Sequence, residues 1–207
     1  MLKKPYAERT SDSDGIAAVV LAAGASRRLG EPKQLIQIEG ESLLRRSVRL
    51  AVEAGSAPVL VVLGFAADRM RGELAGLAAE AIENGGWQEG MGSSLRCGVA
   101  AAAARPEVDG VLAMVCDQPR LTAEHLRGLM DLHRKTGGAL TASFYGGRAG
   151  VPAVFGRLLF GELLDLQADR GARGVIEAHA DQTRTIAWPE GEMDMDRPEQ
   201  VRAQKGE

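Results

Sequence analysis

The sequence has few of the residues that bring sulfur or imidazole chemistry to a site. It contains 2 cysteines, Cys97 and Cys116, and 3 histidines among 207 residues. The cysteines are not spaced as a metal-binding pair, so we interpret them as small buried side chains in a reducing compartment. The histidines, His125, His133 and His179, are each isolated on predicted helix surfaces. This pattern excludes a histidine-based zinc site or general base.

Long apolar runs and an excess of basic charge are also absent. No segment approaches the ~20 apolar residues that a membrane span needs. The net charge of -3 argues against a nucleic-acid surface. Residues 1–15 are charged and polar, without the apolar region of a signal peptide, so we expect a cytoplasmic protein with no membrane partner. A few local cations are still sufficient to bind one nucleoside triphosphate.

The length and the 45% content of apolar residues fit one well-buried domain. We expect a flexible leader over residues 1–14, a single domain over residues 15–200 and a polar tail over residues 201–207. Apolar strands alternate with amphipathic helices, which predicts an α/β fold with a mostly parallel sheet covered on both faces.

Local signals predict where these elements lie. Buried strands are predicted at residues 16–21, 58–63, 80–83, 110–115, 139–144 and 151–155. Ser42 and Thr122 are predicted N-caps of two helices, and further helices are predicted over residues 69–77 and from Ser93 or Ser94 to residue 104. Residues 145–150 are predicted to connect the last two strands.

The stretch from Val19 to Leu35 joins a buried strand to a turn of small residues and two cations. Gly24 and Gly30 flank this turn, so a ligand can lie directly against backbone N–H groups. Arg28 and Lys33 add positive charge, and the combination favours a polyphosphate site. The spacing matches neither the Walker loop nor the dinucleotide fingerprint. An ordinary chain reversal with solvated cations gives the same pattern.

Two later positions are further candidates for ligand binding. Asp117 directly follows an apolar strand, at the end of the sheet where α/β folds bind ligands, and its carboxylate suits Mg²⁺. Turn formation or capping of the next helix is the alternative. Ser93 and Ser94 follow a glycine-rich loop at a predicted helix N-terminus, which suits an anion or a base edge. The alternative there is an ordinary N-cap.

These stretches resemble the MobA-like nucleotidyltransferase family. The family's opening motif is Leu-Ala-Ala/Gly-Gly-x-Ser-x-Arg-Met/Leu-Gly followed by Lys, and the chain matches it at Leu21, Ala22, Ala23, Gly24, Ser26, Arg28, Leu29, Gly30 and Lys33. Residues 84–98 resemble the Asn-x-x-Trp-x-x-Gly-Met-x-Ser-Ser-Leu-x-x-Gly segment of the molybdenum cofactor cytidylyltransferase branch. The resemblance covers roughly residues 16–200. It implies a three-layer α/β/α sandwich with a mixed, mostly parallel sheet, similar to Rossmann-like nucleotide-diphospho-sugar transferases.

The resemblance also implies roles for nucleotide-site residues. Arg28 and Lys33 are expected to bind the phosphates. The backbone of Leu21, Ala22, Ala23 and Gly24 is expected to contact base and sugar together with Ser94.

Two aspartates are expected to hold Mg²⁺. Asp117 lies in Asp-Gln-Pro, where the family places a metal-binding aspartate. Asp196 lies in a segment that resembles the end of the family's catalytic core, although Arg197 replaces the usual threonine. An acidic turn before a helix beginning at Pro198 is the alternative for Asp196. Arg28, Lys33 and Asp117 are the candidate catalytic residues.

The region expected to face the acceptor departs from the family pattern. The usual Gly-His-Pro triplet is Gly150-Val151-Pro152 here, so the expected histidine is missing. Arg148 either reaches an anionic group or is a solvated loop cation. Asp169 and Arg173, in a segment similar to Gly-Asp-x-Gly-Ala-Arg, either shape the acceptor pocket as an ion pair or begin a helix.

The reaction that the resemblance implies is Mg²⁺-dependent transfer of CMP from CTP to molybdenum-bound molybdopterin, with release of pyrophosphate. A molybdoenzyme is then the expected recipient of the cytosine dinucleotide cofactor. GTP and a sugar-phosphate acceptor remain alternatives within this class. A non-catalytic molybdopterin carrier is an alternative from another class. The missing dinucleotide fingerprint disfavours an NAD-dependent oxidoreductase.

Overall fold

In the computed structural model, the described residues are 15–26, 31–168 and 170–192. The strands are β1 (Gly15–Leu21), β2 (Gln37–Ile38), β3 (Glu41–Ser42), β4 (Val59–Leu63), β5 (Glu80–Glu83), β6 (Val108–Val115), β7 (Leu140–Tyr145), β8 (Arg148–Gly156) and β9 (Arg184–Ala187). The helices are α1 (Leu43–Glu53), α2 (Ala67–Glu73), α3 (Met91–Ala103), α4 (Ala123–Thr136), α5 (Phe160–Leu164) and α6 (Arg173–Ala178). The predicted leader and the predicted tail lie outside the described residues.

Seven of the strands form one mixed sheet in the order β5-β4-β1-β6-β8-β7-β9. The strands β5, β4, β1 and β6 run parallel to one another. Strand β8 is antiparallel to both β6 and β7, and β9 is parallel to β7. Leu21, the last residue of β1, pairs with Val62 on one side and Val115 on the other. The loops that follow β1, β4 and β6 therefore leave the sheet at the same edge.

Helices cover both faces of this sheet. Ile16, Ala18 and Val20 point into a core shared with α1, α2 and α4. Ala17 and Val19 point into a second core shared with α3, α5 and α6. Because alternate residues of a strand face opposite sides, one strand supplies both cores. The prediction of a three-layer α/β/α sandwich is confirmed.

Both predicted helix caps are present. The Ser42 Oγ accepts a hydrogen bond from the backbone N–H of Arg45 at 3.1 Å, and the Thr122 Oγ1 accepts one from the N–H of His125 at 3.2 Å. Each bond satisfies a donor that the first turn of a helix leaves unpaired. Among the described residues, no helix combines the length and the apolar character that a membrane crossing requires.

The predicted start of α3 was wrong by two to three residues, because the helix begins at Met91 rather than at Ser93 or Ser94. Gly90, with φ of 129°, turns the chain into the helix, a conformation that favours glycine. The hydroxyl of Ser93 donates to the Gly90 carbonyl at 2.8 Å and is not the N-cap.

The predicted bounds of α2 were also wrong. The helix spans Ala67–Glu73 and not residues 69–77. Ala66 has φ of 52°, which reverses the chain before the helix. At the other end, the Arg45 guanidinium donates to the carbonyls of Glu73 and Ala75, each at 2.9 Å. These carbonyls are thereby satisfied without a further helical turn.

The predicted connection over residues 145–150 was too long. Strand β7 continues to Tyr145 and β8 begins at Arg148, leaving only Gly146 and Gly147 between them. Their φ values are 56° and 72°, as the two central residues of a type I′ hairpin turn require. Arg148 is therefore a strand residue paired with Tyr145.

Candidate functional site

Lys33 and Asp117 meet at the carboxyl-end edge of the sheet. Asp117 follows the end of β6, and Lys33 begins a short 3-10 turn after the loop that leaves β1. The Lys33 Nζ contacts the Asp117 Oδ2, and the side chains are 22% and 14% exposed. The residue predicted to bind phosphate and the residue predicted to bind metal thus lie together in one site.

A cavity of about 410 Å³ surrounds this pair, and we refer to it as the first cavity. Its volume lies in the usual range for small-molecule sites. Six of the predicted nucleotide or metal residues line it, namely Leu21, Ala23, Gly24, Lys33, Ser94 and Asp117. Ala22 is buried.

Gln34 organises the loop after β1, and the sequence analysis missed it. Its side chain is 1% exposed, and its Nε2 donates to the Ala22 carbonyl at 2.9 Å and to the Gly24 carbonyl at 2.7 Å. The hydroxyl of Ser26 donates to Gln34 Oε1 at 3.4 Å and accepts from the Lys33 N–H at 3.0 Å. A single glutamine after Lys33 has no periodic or motif signal that could have identified it.

A buried amide also orders the serines at the start of α3. The Asn84 Nδ2 donates to Ser93 Oγ at 2.9 Å and to Ser94 Oγ at 3.1 Å. The hydroxyl of Ser93 donates within the protein, to the carbonyls of Gly86 and Gly90. Only Ser94 of the two lines the first cavity. Within the described part of the chain its hydroxyl hydrogen has no acceptor, so this group can donate to a ligand.

A second cavity of about 300 Å³ adjoins the first, with Leu21, Met91 and Val115 lining both. Two predicted acceptor residues, Arg148 and Arg173, line this second cavity. The structure therefore brings the predicted acceptor cations close to the predicted nucleotide site.

Arg173 is the first residue of α6, which agrees with the alternative that this segment begins a helix, and the ion pair with Asp169 stays a prediction. Arg173 Nε donates to Glu177 Oε1 at 2.6 Å, one helical turn away. Asp169, proposed above as its partner, lies outside the described residues. Arg28 and Asp196 also lie outside them, so the structure describes neither the second predicted phosphate cation nor the second predicted metal ligand.

Val151, which stands where the family has histidine, links the two cavities through its carbonyl. This oxygen accepts from the Tyr145 hydroxyl at 2.8 Å and from Gln118 Nε2 at 3.2 Å. Gln118 follows Asp117 in the chain. The wall of the second cavity is thus tied to the strand end that carries Asp117.

The thiol of Cys116 is buried and hydrogen-bonded within the protein. Cys116 is buried beside the first cavity, and its Sγ donates to the Leu21 carbonyl at 3.7 Å. Burial raises the pKa of the Cys116 thiol to about 12, which keeps it protonated. Cys97 is partly exposed, and burial also raises the pKa of its thiol.

The prediction that all histidines lie isolated on helix surfaces was wrong for His179, whose Nε2 lies 2.9 Å from Glu162 Oε2, and for His125. The Nε2 of His125 lies 2.8 Å from Ser143 Oγ, and the His125 ring stacks on Trp188 at 4.9 Å. Because the Ser143 hydroxyl donates to the Pro152 carbonyl, the imidazole is the donor to Ser143. Among the described residues, no group of three or more His, Cys, Asp or Glu side chains is placed to hold a metal ion.

The fold and the site define an α/β protein with adjoining ligand cavities at the carboxyl ends of parallel strands. Residues 18–183 match the sequence model of the MobA-like NTP transferase domain. The chain therefore belongs to the MobA-like NTP transferase family.

Curated relatives have several different activities in their names. The chain is 32% identical over 149 residues to the bifunctional protein GlmU of Geobacter metallireducens, which is 70% of this chain and 30% of GlmU. It is 34% identical over 131 residues to a probable molybdenum cofactor guanylyltransferase of Opitutus terrae, covering 63% and 62% of the two chains. It is 32% identical over 125 residues to nicotine blue oxidoreductase of Paenarthrobacter nicotinovorans, covering 60% of each. The chain thus spans less than a third of the GlmU protein it matches.

Solved structures cover nearly the whole chain. Rv0371c of Mycobacterium tuberculosis H37Rv superimposes with a TM-score of 0.77 and 29% identity, covering 93% of this chain and 99% of Rv0371c. A structure of Rv0371c in complex with manganese gives a TM-score of 0.72 and 28% identity, covering 93% and 98%. The predicted nucleotide-diphospho-sugar transferase-like fold is confirmed.

Proposed function

We propose that this protein transfers CMP from CTP to molybdenum-bound molybdopterin and releases pyrophosphate. The observation that carries the proposal is the pairing of two adjoining cavities. The first cavity holds Lys33, Asp117 and Ser94, and the second holds Arg148 and Arg173. A nucleoside triphosphate in the first and a phosphorylated acceptor in the second would lie next to one another.

The proposed reaction forms a bond between an oxygen of the acceptor phosphate and the α-phosphorus of CTP. The bond from the α-phosphorus to the bridging oxygen breaks, and pyrophosphate leaves with the electron pair. The acceptor is already an anion, so no side chain has to remove a proton. Lys33 and Arg28 would position the phosphates and stabilise the charge that develops on them. Ser94 and the loop backbone from Leu21 to Gly24 would hold the base and sugar.

The donor set fits Mg²⁺, which proteins commonly hold through one or two carboxylates plus substrate phosphates. Asp117 supplies a carboxylate in the first cavity. Asp117 and Asp196 would hold the ion, and when bound it would neutralise phosphate charge. The structure of Rv0371c in complex with manganese supports the proposal that the present protein also binds a divalent cation.

The lining of the second cavity favours a flat acceptor over a sugar phosphate. Apolar residues, including Met91, Val115 and Ile176, make up much of its wall beside the two arginines. An apolar wall suits the face of a ring system, whereas the hydroxyls of a sugar need polar partners around the ring. The arginines suit the acceptor phosphate.

The test is pyrophosphate release with CTP, GTP, ATP and UTP in parallel, each with Mg²⁺ and molybdenum-bound molybdopterin. We expect release with CTP, loss of release in Asp117→Ala, and retention in Asp131→Ala, which alters an exposed aspartate of α4. Release with GTP alone would change the base assignment. Tight pterin binding without release from any nucleotide, unaffected by Asp117→Ala, would instead support a carrier.

One of the curated relatives is named nicotine blue oxidoreductase, so oxidoreductase activity is the second function to test. The same protein preparation is therefore assayed for oxidation of NADH with nicotine blue as the acceptor. We expect no oxidation above the uncatalysed rate. Rapid oxidation without any nucleotidyl transfer would contradict the proposed function.

A further inference from the structure

We propose that Gln34 is a positioning residue that presents the backbone N–H groups of residues 23–25 to the nucleotide. The inference rests on the proposed function and adds a residue to its nucleotide site. Gln34 is 1% exposed and belongs to the turn that also carries Lys33. One short turn thus carries both the phosphate cation and the amide that holds the loop.

Three successive carbonyl groups of the loop, those of residues 22–24, accept hydrogen bonds from within the protein. Those of Ala22 and Gly24 accept from Gln34 Nε2, at 2.9 Å and 2.7 Å. That of Ala23 accepts from the N–H of Phe65 at 3.0 Å. The contact from Ser26 Oγ to Gln34 Oε1 fixes which end of the amide is the donor.

The N–H groups of the same loop are consequently directed the other way. In a planar trans peptide, the carbonyl of one residue and the N–H of the next point in opposite directions. The N–H groups of Ala23 and Ala25 therefore point away from Gln34. In the described part of the chain, the N–H groups of Ala23, Gly24 and Ala25 have no acceptor. A Cβ added to Gly24 would meet nothing within 4 Å, so the space above the loop is open to a ligand.

Successive unpaired N–H groups around an open concavity bind anions and base edges. Without the Gln34 amide, the Ala22 and Gly24 carbonyls would lose their donors and could rotate towards the cavity. A carbonyl oxygen directed into the cavity would present an acceptor where the nucleotide needs a donor, and would oppose binding. Gln34 therefore acts through the loop, by fixing which backbone groups face the nucleotide.

The test is the variant Gln34→Met, which keeps side-chain length and removes both donors. We expect the Kd for CTP with Mg²⁺ to rise by about tenfold or more, as the loss of two buried hydrogen bonds implies. The KM for CTP should rise likewise, while the KM for the acceptor stays unchanged. A purely structural role would lower the amount of active protein without separating the two KM values.

The matched control is Gln37→Met, because Gln37 is exposed and, among the described residues, its Nε2 donates only to the Leu35 carbonyl, at 3.4 Å. This variant should bind CTP as the unmodified protein does. Thermal unfolding first shows that each variant is folded. If Gln34→Met is not, Gln34→Asn replaces it, because its shorter amide cannot reach both carbonyls.

Two outcomes of these binding measurements distinguish a failure of the proposed role of Gln34 from a failure of the proposed function. If the unmodified protein binds CTP and Gln34→Met binds it equally well, the role of Gln34 is overturned and the proposed function stands. If the unmodified protein binds none of the four nucleoside triphosphates, both are overturned.

Discussion

The ammonium group of Lys33 contacts a carboxylate oxygen of Asp117, although 84 positions separate the two residues in the chain. The contact exists because the loop after β1 and the end of β6 leave the sheet at the same edge. Both side chains are largely buried, so each charge is compensated locally before any substrate binds. The folded protein thereby holds together the cation predicted to bind phosphate and the carboxylate predicted to bind metal.

Replacing Lys33 should abolish most of the transfer activity. In Lys33→Met the cation is lost and Asp117 loses its partner, so we expect kcat/KM for CTP to fall by about a hundredfold or more. Lys135→Met is the control, since Lys135 is exposed at the end of α4. Steady-state kinetics of pyrophosphate release measures both. Nearly full activity in Lys33→Met would remove this residue from the site.

The two arginines of the second cavity should affect the acceptor and not the nucleotide. Arg148→Ala and Arg173→Ala should each raise the KM for the acceptor by about tenfold, the loss expected for a charge-assisted hydrogen bond. The KM for CTP should change little. Arg184→Ala, at an exposed position of β9, is the control. An equal rise in both KM values would show that the two cavities are not separate subsites.

The packing of α3 on the sheet should depend on Gly98. A Cβ there would lie 2.4 Å from Val19 Cγ1 and 3.0 Å from Val62 Cγ2, so Gly98→Ala should lower the free energy of unfolding by about 1–3 kcal/mol. Gly72 lies in α2, and a Cβ there would meet nothing within 4 Å. Gly72→Ala should raise the free energy of unfolding by about 0.5–1 kcal/mol. Urea unfolding measures both, and equal effects would contradict the packing described.

His125 should make stability depend on pH. Burial lowers the pKa of His125 from its usual 6.5, and the charge of Glu190 opposes this only in part. The unfolded chain then takes up the proton at higher pH than the folded protein. The neutral imidazole of His125 therefore contributes fully to the free energy of unfolding above pH 6.5, and this contribution is lost as the pH falls below that value. The pKa of His133 is lowered by burial and by Arg134, which adds to the same trend.

Urea unfolding from about pH 7.5 to about pH 5.5 tests this dependence. The free energy of unfolding should fall less steeply in His125→Gln than in the unmodified protein. The comparison uses the slope, because the substitution also removes the Trp188 stack and the hydrogen bond to Ser143 at every pH. Identical slopes would mean that His125 does not contribute.

The sequence predicts the features that depend on nearby residues. The caps at Ser42 and Thr122 and the apolar strands are local signals, and the structure contains them. The start of α3 was misplaced because Ser93 is typical of an N-cap, whereas the backbone of Gly90 determines where the helix begins. A positive φ at glycine is permitted at many positions, so composition alone does not locate it.

Side chains that hydrogen-bond to groups distant in the chain were not predicted. Gln34 bonds to carbonyls 12 and 10 positions away, and Asn84 reaches serines 9 and 10 positions away. Such contacts exist only after the loops have been placed by the sheet. The resemblance to the family supplied Lys33, Ser94 and Asp117, and the structure adds the buried amides that organise the segments around them.

The most direct test of nucleotidyl transfer is to follow a radiolabel from CTP into the acceptor. Two forms of CTP are used, one labelled at the α-phosphorus and one at the γ-phosphorus, with Mg²⁺, molybdenum-bound molybdopterin and either the unmodified protein or Asp117→Asn. We predict that the α-label enters the acceptor, that the γ-label appears only in pyrophosphate, and that Asp117→Asn transfers neither. Transfer of the γ-label to the acceptor, or an acceptor that stays unlabelled while CTP is consumed, would contradict the account.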